Sequence, residues 1–157
     1  MKMIQVALCT ALLSFASLSA TAAEGEPEWL FVQTAAEFTI DGDALTIPYE
    51  RQVFGFTDRP NRMHAYVTAH EFESLWTKGE DNFGSNPPNA VLTWVEDGEV
   101  REAEIVLTSA RVGDLGRSIT YQIKSEAGHE LPHKAEKVSL FVDDLHDTYC
   151  FFYGHNC

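Results

Sequence analysis

Two stretches of the chain carry residue types that do chemistry. The first is Phe56-Thr57-Asp58-Arg59-Pro60-Asn61-Arg62-Met63-His64. It sets two guanidinium groups in one turn, with a carboxylate before them and an imidazole after. Guanidinium forks match carboxylate and phosphate oxygens, so Asp58, Arg59, Arg62 and His64 form a candidate site for a small anionic ligand. The structural alternative is that Asp58 caps the turn while an arginine pairs with a nearby carboxylate. Asp and Glu number 24 against 11 Lys and Arg, so such partners are abundant.

The second stretch is the C-terminal tail, where Asp144, His146, Asp147 and His155 accompany Cys150 and Cys157. Imidazole, carboxylate and thiolate together suit zinc or copper. Against this, the spacing fits no zinc-finger pattern, and oxidation of Cys150 to Cys157 would remove both thiolates. A disulfide between them would close a short loop around Phe151-Phe152-Tyr153-Gly154 and pin a terminus that otherwise frays. The loop's aromatic side chains would then dock on the domain or form an apolar contact patch.

Other candidates are thinner. His64 and His70 flank a helix start, and His129 and His133 share a loop in which Pro132 opposes the helix that their spacing would need to hold a metal. The run Glu80–Asn86 offers oxygen atoms but lacks the spacing and terminal glutamate of a calcium loop. No G-x-S-x-G elbow, H-E-x-x-H pair, phosphate loop or dinucleotide fingerprint is present. A hydrolase stays as an alternative only if distant loops assemble its site.

The chain of 157 residues begins Met1-Lys2, continues as an apolar run from Met3 to Leu18, and reaches the small residues Ser19–Ala23. That is the layout of a secretory signal peptide over 1–23, too short to span a bilayer. The expected product is exported, periplasmic or secreted, with residues 24–157 as one β-rich domain and no membrane span in the mature chain. Export favours the disulfide. Loss of Lys2 takes the formal charge from −13 to about −14, a balance that repels nucleic acid and anionic lipid.

The elements that must position these residues are mostly strands. Trp29–Val32 opens the first, and Phe38–Ile47 alternates about an Asp-Gly turn. Gln52–Thr57 follows, with Gly55 as a bulge. Pro60 and Asn61 suit the second and third positions of a type I turn. The helix expected over 69–78 is closely specified: Thr68 and Glu71 make a capping box, Val67 and Phe72 a hydrophobic staple, and Phe72, Leu75 and Trp76 an apolar stripe. Asp97-Gly98 closes a hairpin whose register pairs Val95 with Val100 and Trp94 with Arg101, the latter as a cation–π contact. Ser118–Lys124 and Val138–Asp143 complete the set. The pattern predicts an antiparallel β-sandwich or open barrel of about eight short strands with one short α-helix.

Several of these residues also carry a resemblance. Phe56, Asp58, Arg59, Pro60 and Arg62, then Phe72, Trp76, Gly79, Asp81 and Phe83, then Pro87–Ala90 follow the run F-x-D-R-P-x-R … F-x-x-x-W-x-x-G-x-D-x-F … P-P-N-A. This resembles a family of small exported bacterial proteins with relatives in algae and plastids, over about Trp29 to Asp143. The resemblance implies the fold and no activity. The leading expectation is therefore an exported, non-catalytic binding module whose partner is an envelope protein or a small anionic ligand. A periplasmic zinc or copper protein using the tail is the alternative.

Overall fold

The computed structural model describes residues 28–79, 82–125 and 130–143. Among these residues eight antiparallel strands and one short α-helix form a mainly β domain. The strands are β1 (Trp29–Asp41), β2 (Ala44–Pro48), β3 (Val53–Thr57), β4 (His64–Val67), β5 (Asn89–Glu96), β6 (Glu99–Val112), β7 (Ser118–Ser125) and β8 (Lys134–Asp143); α1 is Ala69–Ser74. Six strands close a barrel in the order β1-β2-β7-β6-β5-β8, and β8 returns to β1. The other two, β3 and β4, extend the sheet from β1 as a flap.

Closure depends on the length of β1. Its first half, Trp29–Val32, pairs with β3, and its end, Thr39–Asp41, pairs with β2. β8 runs along the opposite edge of β1 from Leu30 to Thr39. The expected separate strands at Trp29–Val32 and Phe38–Ile40 are thus one strand. Inward residues are Trp29, Phe31 and Gln33 early, then Phe38 and Ile40. The phase changes beside Lys137 of β8, which has a φ of 55°.

Other expectations are corrected at turns and ends. The Phe38–Ile47 hairpin is present, with Gly42 and Asp43 as its loop. Gly55 is no bulge, since it lies in unbroken register with Phe31 and Ala65. Its hydrogen faces the Phe31 ring, where an added Cβ would sit 3.0 Å from Cε1, so close approach explains the glycine. The bulges fall instead between Thr93 and Val95 and between Leu107 and Ser109. The Asp97-Gly98 loop has positive φ at both residues, as a type I′ turn requires, and sets the expected Val95–Val100 and Trp94–Arg101 register. Arg101 pairs with Glu99 at 3.2 Å and Glu96 at 3.6 Å, while Trp94 turns into the core against Phe38.

The helix is shorter than expected, ending at Ser74 with Leu75 as its C-cap. Its start is as the sequence implies. Glu71 N–H donates to Thr68 Oγ1 at 3.3 Å, and Thr68 N–H donates to Glu71 Oε2 at 2.8 Å. These bonds, from the Thr68 hydroxyl first and its N–H second, hold the Glu71 carboxyl below its ordinary value. The cap is therefore intact at neutral pH and weakens as pH falls through that lowered value. Thr68→Ala is expected to cost about 1 kcal/mol, read as a lower urea midpoint at pH 7 and a smaller difference from wild type at pH 3.

α1 lies against β6 and β7 and sends Phe72 into the core, with Trp76 following from the turn after it. Phe72 meets Phe31, Trp76 and Tyr121, with ring centroids 5.3, 5.5 and 6.5 Å away. Trp76 also stacks edge-on with Phe83 from the following loop. Among the described residues no helix is long and apolar enough to cross a membrane.

Candidate functional site

The β3–β4 turn is built by its own backbone. Thr57 N–H donates to the Met63 carbonyl at 3.0 Å, and Met63 N–H donates to Thr57 Oγ1 at 2.9 Å. Within that bracket Arg59 N–H donates to Asp58 Oδ1 at 2.6 Å, and Arg62 N–H donates to the Asp58 carbonyl at 3.1 Å. Asp58 therefore caps the turn. The Arg59–Pro60 peptide is cis and Arg62 has a φ of 50°, so the expected type I geometry is replaced. Arg59, Arg62 and His64 are all exposed. Among the described residues neither arginine has a carboxylate within ion-pair distance.

The turn borders a feature that sequence reasoning missed. On the outer face of the sheet, Tyr66 lies opposite Phe54, Phe54 opposite Val32, Val32 opposite Phe141, and Phe141 opposite Val91. One row of apolar side chains thus crosses β4, β3, β1, β8 and β5. His64, Phe56 and Leu30 form part of the next row. Phe54 is the hub, with ring centroids 5.8 Å from Phe56, 5.2 Å from Tyr66 and 6.4 Å from His64. Tyr66 is 66% exposed and Phe141 42%. The signal was present in the alternation of Val53, Gly55 and Thr57 with Phe54 and Phe56. It became readable only once the first three were seen to face the core.

A second place of interest is a cavity of about 500 Å³ between α1 and β6, lined by His70, Glu73, Ser74, Thr77, Ala110 and Arg111 among others. Glu73 Oε1 accepts from Val112 N–H at 3.0 Å, tying the helix to the barrel. Glu73 Oε2 lies 3.4 Å from His70 Nδ1, which leaves Nε2 facing outward from the pair. A histidine beside a carboxylate in a concavity is the geometry that the hydrolase alternative needs, but the two hydroxyls that the helix end brings to it are engaged elsewhere. Ser74 Oγ donates to the Glu71 carbonyl at 2.7 Å and Thr77 Oγ1 to the Ser74 carbonyl at 3.3 Å.

The remaining candidates disperse. His133 bonds to β1, its ring Nδ1 to the Ile40 carbonyl, and its own carbonyl accepts from Ile40 N–H at 2.8 Å. Asn82 organises its loop by accepting from Gly84 and Ser85 N–H at 2.9 and 3.0 Å. Among the described residues no group of three or more His, Cys, Asp or Glu side chains is placed to hold a metal. The tail set (Asp144, His146, Asp147, His155), the Cys150–Cys157 disulfide, His129 and the signal peptide lie outside the described residues. Comparison with protein-family models, with curated proteins and with solved structures finds no match.

Proposed function

We propose that this chain is an exported, non-catalytic binding module that docks a partner protein of the envelope through the outer face of β4, β3, β1, β8 and β5. The observation that carries this reading is the cross-strand apolar row from Tyr66 to Val91, exposed at Tyr66 and Phe141 and half-buried at Phe54, Val32 and Val91. Five strands spaced about 4.8 Å apart make it roughly 19 Å across, an open patch and not the concave pocket typical of small molecules. Large apolar patches on otherwise polar surfaces mark interaction sites, and aromatic and arginine side chains dominate the energetics of such contacts. Arg59 and Arg62, exposed and without an ion pair among the described residues, stand in the turn beside the row. In a chain of net charge −13 they select a partner that carries acidic residues beside an apolar centre.

The test is photo-crosslinking from residue 66 in intact cells, followed by affinity measurement with the purified partner. The expected result is one envelope protein crosslinked through an acid-rimmed apolar surface. Phe54→Ser should weaken its binding about thirtyfold or more, the scale of an interface hot spot, with melting nearly unchanged. Arg59→Ala with Arg62→Ala should reduce both affinity and its salt dependence. Crosslinks confined to copies of this chain, or undiminished affinity in Phe54→Ser, would overturn the proposal.

A further inference from the structure

Beyond Val106, which pairs with Asn89, β6 leaves β5 behind and presents a free edge toward α1. Gly113 N–H donates to the Ser118 carbonyl at 2.9 Å, which fixes the hydrogen-bonding phase of the β6–β7 ladder. Bonded and non-bonded pairs alternate in an antiparallel ladder. From the Gly113–Ser118 pair, in constant register back to Ser109 and Gln122, Val112 and Ala110 therefore direct their N–H and C=O away from β7, toward the helix.

Side chains and one loop carbonyl satisfy the two ends of that edge. Leu107 N–H donates to the Pro88 carbonyl at 3.0 Å, and the Trp76 indole donates to the Leu107 carbonyl at 3.2 Å. Glu73 takes Val112 N–H. Between these two clasps, the N–H and C=O of Ala110 have no protein partner among the described residues. Ala110 lines the 500 Å³ cavity together with Arg111, whose guanidinium has no ion pair among the described residues.

A donor and an acceptor side by side on an extended strand form half of a β-ladder pair, and the complementary half is another extended peptide unit. A cation beside it matches a peptide terminus that ends in carboxylate. We infer that the cavity between α1 and β6 is a binding site for a short extended peptide with a free C-terminal carboxylate, one residue of which pairs with Ala110 while the carboxylate meets Arg111. The ligand is short because Trp76 and Glu73 bracket the open edge. Leu107 and Val112 are five residues apart, about 17 Å at strand spacing. This site is separate from the aromatic face, and neither proposal depends on the other.

The test follows backbone amide resonances of the full mature protein as N-acetyl-Ala-Ala, its C-terminal amide, and acetate are titrated in. The acid should shift the Ala110 and Val112 amides saturably, and the amide form should bind about tenfold more weakly, the value of one charge-assisted contact. Arg111→Gln should lower the acid to the level of the amide form, Arg111→Lys should retain part of the difference, and acetate should leave Ala110 unmoved. Three results would overturn the inference: no saturable shift at Ala110 with either peptide up to about 20 mM, the weak limit of specific binding; shifts confined to another surface; or acetate reproducing the peptide's shifts, which would make the cavity a simple anion site.

Discussion

Phe72→Ala is expected to destabilise the protein by about 3–5 kcal/mol, the usual range for emptying a buried phenylalanine position. Phe72 is fully buried and packs on rings from three directions: Phe31 of β1, Trp76 after the helix, and Tyr121 of β7. Those neighbours are themselves large and held by other elements, so the space cannot collapse cheaply. For a domain of this size the melting temperature should fall by roughly 10–20 °C. Phe72→Leu, which keeps most of the volume, should cost less than half as much. Urea unfolding with an unchanged m-value would separate lost packing from an altered unfolded state. A cost below about 1 kcal/mol would mean that α1 lies on the barrel without being part of its core.

That helix was legible from sequence because its signals are local. Thr68, Glu71, Val67 and Phe72 sit within six positions, and each acts through neighbours in the chain. The hairpin at Asp97-Gly98 was legible for the same reason. What escaped was set by residues far apart. The sequence of β1 alone divides into two strands because its inward set shifts from Trp29, Phe31 and Gln33 to Phe38 and Ile40. The break is imposed across the sheet, where Lys137 of β8 takes a left-handed conformation, and no window of β1 alone contains it. Barrel closure escaped likewise, because one strand serving β3, β2 and β8 is a fact of pairing and not of propensity.

The candidate sites divide along the same line. Asp58, Arg59 and Arg62 were visible because they are adjacent, and Asp58 does cap the turn. The aromatic row shows in the sequence only as the alternation within β3, because Tyr66, Phe54, Val32, Phe141 and Val91 belong to five strands. The open edge at Ala110 has no sequence signal either, since a backbone group left over where β6 runs past the first residue of β5 has no signature in side-chain type.

Gln33 and Tyr121 offer the sharpest test of how the core beneath α1 is held. Tyr121 O–H donates to Gln33 Oε1 at 2.5 Å, and Gln33 is only 2% exposed, with Nε2 unpaired among the described residues. Tyr121→Phe would strand the amide carbonyl as well, and Gln33→Leu would strand the phenol. Each should cost about 1–3 kcal/mol, the penalty for a buried polar group without a partner. The double variant removes both groups, so its cost should fall well below the sum of the two. Strictly additive losses would mean that the two residues act through shape alone. Burial also pushes the Tyr121 phenol well above its ordinary value of 10.0. The neutral form is what the core accepts, so its contribution is fully present below the unfolded value and is lost as pH rises toward the folded one. Stability of the wild type should therefore gain an extra downward slope approaching 1.4 kcal/mol per pH unit above about pH 10, and Tyr121→Phe should lack it. Phe72 packs on Tyr121 from the helix side, so Phe72→Ala should lower the folded-state value and bring the upper end of that slope closer to the ordinary phenol value, with its onset near pH 10 unchanged.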